Sequence, residues 1–215
     1  LLHFESGVLL VHLGMSGSMR LCHAEELLRK HDHVIWDFGH ITVRLNDPRR
    51  FGAVVWHPHG DGPVLAHPLL KQLGVEPLSD DFTIAHLYQG LKRKKKAIKT
   101  ALLDGDIVVG VGNIYASESL FLAKINPKVS AQSLSKARVD RLHAAILSTL
   151  NAALASGGST LRDFLNANGE PGSYFEIHAN VYDRENQPCH VCGTPIRKIV
   201  QGQRATYYCV KCQRY

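Results

Sequence analysis

Apolar and polar positions alternate with a period of two through the first quarter of the chain. Val8-Leu9-Leu10-Val11-His12-Leu13 is an apolar run that stops at Gly14, and Ser18-Met19-Arg20-Leu21 follows Gly17. Residues 33–38 and 41–45 are joined through Gly39-His40, and residues 51–56 close the set. Short alternating runs divided by glycine turns predict a β-sandwich or barrel. Residues 24–30 interrupt the alternation and read as a helical turn. Residues 57–63, with two prolines and two glycines, read as a linker; its histidines lack a third metal ligand.

From Asp80 the period becomes helical. Ile84, Leu87, Tyr88 and Leu91 fall on one face, with Asp80 and Asp81 placed to cap it. Residues 97–103 predict a second short helix. Residues 104–112 form a glycine-punctuated turn that feeds a helix starting near Asn113 and ending by Pro127. Ser133 or Ser135 opens a long helix striped by Val139, Leu142, Ile146, Leu150 and Leu154, and Gly157-Gly158 stops it. Ser159 or Thr160 caps a further helix over 161–167. Near the C-terminus two β-rich runs flank Gln201-Gly202-Gln203, a hairpin turn. The pattern divides the chain into β-rich residues 1–66, helical residues 67–170 and a segment 171–215 that ends in the hairpin.

Cysteine spacing adds chemistry to that hairpin. Cys189-His190-Val191-Cys192 and Cys209-Val210-Lys211-Cys212 are two C-x-x-C knuckles sixteen residues apart. Each knuckle aims two thiolates at one point, and together they complete a tetrahedral shell at about 2.3 Å per bond. One structural Zn2+ per chain is expected, because a closed shell leaves no position for substrate. Two disulfides are the competing reading, but nothing else in the chain looks secreted. The metal would clamp the base of the hairpin and hold out a basic tip, Gln203-Arg204-Ala205.

Charge narrows the partner. The 215 residues carry a formal net charge of +6 with thirteen histidines neutral, and the pI is near 9.1. This favours an anion, nucleic acid first. Arg93-Lys94-Lys95-Lys96 and Lys99 form a basic cluster, either a solvated face or a row of phosphate contacts. Val109-Gly110-Val111-Gly112-Asn113 places two glycines before a helix. That arrangement suits a phosphate at the helix start, or simply tight packing. With no signal peptide or long apolar run, a cytoplasmic location fits best.

Four stretches resemble motifs of the formamidopyrimidine-DNA glycosylase family: His12-Leu13-Gly14-Met15-Ser16-Gly17, Asp47-Pro48-Arg49-Arg50-Phe51-Gly52, Gly110 to Glu118, and Gln203-Arg204-Ala205-Thr206 within its four-cysteine frame. They run in order over almost the whole chain. The resemblance implies an α+β fold. Its parts would be an N-terminal β-sandwich domain, incomplete here, a helix-two-turn-helix domain and a C-terminal zinc-finger hairpin. It also implies base-excision repair of damaged double-stranded DNA. An oxidised purine such as 8-oxoguanine or a formamidopyrimidine would be flipped out and excised, and the abasic site nicked by β,δ-elimination. Chemistry on a base requires its extrusion.

By resemblance, Met15, Arg49 and Phe51 fill the void left by the flipped base. His31, Arg49, Lys94, Lys99 and Asn113 contact DNA. Ser173 and Tyr174 lie in a loop over the lesion, with Ser173 one residue more than the common family form. Arg204 assists the second backbone cleavage and would be catalytic. A monomer, bacterial and nucleoid-associated, is expected. The family's nucleophile is an N-terminal proline followed by glutamate, and the chain begins Leu1-Leu2-His3-Phe4. The expectation is therefore a fragment, inactive by itself. Two other readings share the scaffold: a pyrimidine-specific glycosylase of the endonuclease VIII type, and a catalytically dead DNA-binding module.

Overall fold

The computed structural model describes residues 1–14, 16–158 and 172–215. It divides into two compact units, Leu1–Lys71 with Ala153–Ile177, and Gln72–Ala152 with His178–Tyr215.

The first unit carries two antiparallel three-stranded sheets. β1 (Leu2–Phe4), β2 (Gly7–His12) and β6 (Ala53–Pro58) form one, in the order β1-β2-β6. β3 (Ser18–His23), β4 (Asp32–Asp37) and β5 (Ile41–Asn46) form the other, in the order β3-β5-β4. Alternation sends Val8 and Leu10 of β2 inward, as the period-two pattern requires. Residues 24–30 are irregular, not the helical turn their sequence suggests. The reason is Arg44, 2 % exposed on β5. Its guanidinium donates to the carbonyls of His23, Glu26 and Leu27 at 3.2, 2.7 and 3.1 Å. A carbonyl pulled toward a buried cation is not free to accept from a helical N–H, and the arginine is satisfied only if the loop stays open.

The second unit is helical around one core. α1 (Ile84–Lys92), α2 (Ile98–Leu103) and α3 (Asn113–Leu122) are short, and α4 (Lys136–Ala155) is long. Leu87, Leu91, Ile98, Leu102, Leu120, Leu142 and Ile146 meet in that core. Thr83, not an aspartate, caps α1, its hydroxyl accepting from the His86 amide at 3.1 Å. Val139, Leu142, Ile146 and Leu150 are buried along α4, whereas Leu154 is exposed. At the helix end Gly157 and Gly158 both take positive φ. The Gly158 amide reaches back to the Ala153 carbonyl at 2.7 Å. The helix expected over 161–167 lies outside the described residues. α5 (Tyr174–His178) follows, then the hairpin of β7 (Arg197–Gln201) and β8 (Arg204–Tyr208). Among the described residues no helix is long and apolar enough to cross a membrane.

Candidate nucleic-acid interface

In the first unit three loops are locked together by backbone contacts. Gly14 sits at φ +64°, and a Cβ there would stand 2.7 Å from the Phe51 carbonyl carbon and 2.9 Å from the Gly52 nitrogen. Only glycine permits that approach. The Gly17 amide closes its own turn on the Leu13 carbonyl at 2.9 Å. Asp47, buried, accepts from the Gly52 amide at 2.7 Å, and its own amide donates to the His31 carbonyl at 3.0 Å. One aspartate therefore ties the Arg49–Phe51 loop to the His31 turn. His31 takes φ +75°, and a register shift in β4 follows between Asp32 and Val34.

Asp32 anchors that turn. It accepts two bonds from the Arg20 guanidinium at 3.0 Å, one from the Arg29 amide at 2.9 Å and one from Asn46 at 2.9 Å. Burial opposes the charge, but these donors outweigh it and hold the carboxyl below its usual range.

What this scaffold presents is an aromatic ring in solvent. Phe51 is 55 % exposed, with the Arg49 guanidinium stacked 4.8 Å from its centroid. Met15, expected beside it, lies outside the described residues.

The second unit builds its surface differently. α3 starts at Gly112, which serves as N-cap without any side-chain cap, after Gly110 at φ +77°. Asn113 is the first helical residue, and its side-chain amide nitrogen donates to the Tyr182 hydroxyl at 3.0 Å. Tyr182 is placed by Glu118, one turn farther along α3 and fully buried. Glu118 accepts from the amides of Asn180, Val181 and Tyr182 at 2.8, 3.0 and 2.8 Å. Three N–H donors on one carboxylate make a charge-assisted clamp.

Lys99 has no exposed surface. Its ammonium donates to the Ala205 carbonyl and the Thr206 hydroxyl of β8, both at 2.8 Å. Burial pushes it down to about 7, with the Arg204 charge a lesser cause. It holds the hairpin immediately beside Arg204, which is itself exposed. The hairpin turns through Gly202 and Gln203, both at positive φ, with Gln201 paired to Arg204. This is the type I′ geometry that matches strand twist. Lys94 is ion-paired with Asp104 at 3.1 Å and with Asp106, and Lys96 reaches Asp104 at 2.8 Å. The Asp106 bond is the main cause of a raised Lys94 value. The basic cluster is thus partly neutralised by its own neighbours.

At the hairpin base the four cysteine sulfurs all lie within 4.8 Å of one another. Cys189–Cys212 and Cys192–Cys209 are 3.9 and 3.5 Å apart. Tetrahedral bonds of about 2.3 Å require edges of about 3.8 Å, so the cluster fits Zn2+. Disulfides need about 2 Å, and none is formed. The four thiolates hold one structural Zn2+.

Three family profiles match: the formamidopyrimidine-DNA glycosylase N-terminal domain over residues 1–54, its H2TH domain over 73–165, and the zinc finger found in FPG and IleRS over 186–214. The formamidopyrimidine-DNA glycosylase of Bordetella petrii is 61% identical over 214 residues, covering 100% of this chain and 78% of the relative. The chain belongs to the formamidopyrimidine-DNA glycosylase family. That of Burkholderia cenocepacia is 55% identical over 216 residues, with the same coverage of each chain. The structure resembles MutM (Fpg) of Thermus thermophilus with a TM-score of 0.85 at 38% identity, covering 95% of this chain and 75% of that one. It resembles Lactococcus lactis Fpg in complex with abasic-site DNA with a TM-score of 0.87 at 33% identity, covering 98% and 76%. The expected α+β architecture, with β domain, H2TH domain and zinc-finger hairpin, is the one observed. Membership carries the class, a base-excision-repair glycosylase and abasic-site lyase.

Asp47 supports the surface of the first unit, and Glu118, Tyr182 and Thr206 that of the second. Asp47, Glu118 and Thr206 lie inside the quoted motifs, so their positions were visible but their work was not. Tyr182 becomes meaningful only through partners distant in sequence.

Proposed function

We propose that this chain acts on oxidised purines in duplex DNA, excising the flipped base and cleaving the abasic site by β,δ-elimination. The observation that carries the reading is Phe51, exposed and capped by Arg49 on a loop fixed by Asp47. An apolar ring suits insertion into a base step, and a guanidinium beside it suits the orphaned partner base. Met15 would complete the wedge. His31, Lys94 and Asn113 take phosphates, which positions the duplex without reading sequence. Lys94 must exchange Asp104 and Asp106 for a phosphate to do so. Burial gives Lys99 a different task, holding β8 so that Arg204 can meet the phosphate leaving group of the second cleavage. Ser173 and Tyr174 stand at the loop over the lesion. The protein works as a cytoplasmic, nucleoid-associated monomer.

Equilibrium binding to three short duplexes of equal length tests the substrate: 8-oxoguanine opposite cytosine, an oxidised pyrimidine, and undamaged. Tightest binding to the purine lesion, with the preference reduced in Phe51→Ala, is expected. Preference for the pyrimidine lesion would transfer the chain to the endonuclease VIII-type reading. Borohydride trapping on the 8-oxoguanine duplex, by protein bearing an N-terminal Pro-Glu, reads the lyase step.

A further inference from the structure

We propose that the second unit carries an anion site behind the zinc knuckles, separate from the surface that meets lesion DNA, and that it binds a ligand with two adjacent phosphate groups. The site is a cavity of about 610 Å3 lined by Lys124, Arg138, Arg141, Lys211 and Arg214, together with Val191, Cys192, Cys212 and Tyr215. Five cationic side chains line it, and none of the lining side chains is a carboxylate. Among the described residues, none of the five is in an ion pair.

The zinc centre does not absorb this charge. Four thiolates on one Zn2+ carry a net charge of about −2, so roughly three of the five positive charges remain without a partner. Like charges gathered in one concavity repel, and an anion relieves that repulsion. The two central arginines are fixed in place. Arg138 donates to the Arg214 carbonyl at 2.9 Å, and Arg141 donates to the carbonyls of Ala137 and Ala123 at 3.3 and 3.5 Å. Burial holds the Arg138 guanidinium below its usual value, and the neighbouring Arg141 charge adds to this. A guanidinium already positioned by such bonds loses less freedom on meeting a phosphate, and its planar fork matches two phosphate oxygens.

Placement separates this cavity from the DNA contacts proposed above. Asn113 opens α3, and Lys124 lies just past its end, about 15 Å away along the axis. Arg204 stands at the tip of the hairpin, and Cys192 and Cys212 stand at its base, one strand length of about 17 Å away. The cavity therefore lies at the far ends of both elements that are proposed to face the duplex. Two adjacent phosphate groups can come from a free diphosphate or from successive phosphates of a nucleic-acid strand.

The test is calorimetric titration of the zinc-loaded protein with inorganic pyrophosphate, with orthophosphate, and with a short single-stranded oligonucleotide. Lys124→Gln/Lys211→Gln is the variant of choice, because neither lysine side chain makes a hydrogen bond or ion pair among the described residues. Zinc content and melting temperature verify its fold. The expected result is one saturable pyrophosphate site per chain, bound at least about tenfold tighter than orthophosphate. The double variant should weaken it about tenfold or more and leave affinity for a lesion duplex unchanged. An oligonucleotide that competes with pyrophosphate and shows the same lysine dependence identifies the source as strand phosphates. Pyrophosphate binding without oligonucleotide competition identifies a free ligand. No saturable site, binding indifferent to the two lysines, or one-for-one competition with lesion duplex overturns the proposal. A lesion preference that fails while pyrophosphate binds would sink the substrate reading and leave this site standing.

Discussion

The two units present their functional side chains by opposite means. In the first, the loop carrying Phe51 is fixed by backbone geometry and short-range bonds: Gly14 against Phe51, Gly17 on Leu13, and one aspartate closing the Arg49–Phe51 turn, with the buried Arg20–Asp32 pair anchoring the neighbouring His31 turn. In the second, buried ions do the fixing: Glu118 under Tyr182, Lys99 under β8 and a metal under the whole hairpin. A backbone lock spans a few residues and leaves its cargo free to be any exposed side chain. A buried ion joins segments far apart, but it needs every partner to remain, because an orphaned charge costs more than a missing one. Losing the exposed side chains of the Phe51 loop should therefore cost function without stability, and losing the buried ions of the second unit should cost both together.

Zinc removal is the harshest test of that contrast. Structural zinc is worth on the order of 10–16 kcal/mol to its finger. Chelation or Cys189→Ser should collapse the hairpin and abolish DNA binding. Amide exchange in β1–β6 should stay slow. A metal-free chain with full DNA affinity would end the idea that the hairpin depends on its clamp.

Glu118→Ala comes next. It strands three backbone donors at about 1 kcal/mol or more each, so a loss of at least about 3 kcal/mol is expected. Denaturant unfolding of the second unit measures it. A loss below about 1 kcal/mol would mean that water replaces the carboxylate.

Lys99→Met sharpens the comparison through pH. The native ammonium titrates near 7 and the unfolded one near 10.5. Between those values the unfolded chain binds more protons, so stability rises with pH across that window. Below it the native state bears the full cost of a buried charge. The substitution should flatten the rise and cost about 1–3 kcal/mol at about pH 9, with a smaller cost at about pH 6. A variant whose stability still climbs between those pH values would assign the titration to another group.

This is also where the sequence was least legible. The Thr206 partner of Lys99 is 107 residues away, and the Asn180 partner of Glu118 is 62 away. A lysine beside a basic run looks like a phosphate contact until a distant strand is folded over it. The cysteine knuckles, the Arg49–Phe51 turn and the helix stripes were readable because each is a local spacing. Even locally, Leu154 continued the α4 stripe past the point where the core ends, and Thr83 took the cap from Asp80 and Asp81. Arg44 overruled the helical reading of residues 24–30 from another strand. Local signals name elements well, but they do not say which long side chain will be recruited from elsewhere.

Phe51→Ala tests the other side of the contrast. An exposed ring contributes little to folding, so stability should move by less than about 0.5 kcal/mol. Flipping costs a few kcal/mol, so lesion-specific affinity should fall by about tenfold or more while non-specific binding holds. Parallel losses in both would make the ring an ordinary contact. The smallest effect is at Lys94. Lys94→Gln should lower the salt slope of binding by about one, and an unchanged slope would leave the lysine to its aspartates.

The meeting of Gly158 with residues 172–174 has a consequence for length variation. The Ser173 amide donates to the Ser156 carbonyl at 2.9 Å and the Tyr174 amide to the Gly158 carbonyl at 3.0 Å. A Cβ on Gly172 would come within 2.3 Å of the Gly158 oxygen. Gly158 and residues 172–174 are thus pinned to one spot. A residue inserted at this junction must displace a hydrogen bond. Ser173 makes one of those bonds itself, so its position is part of the fastening.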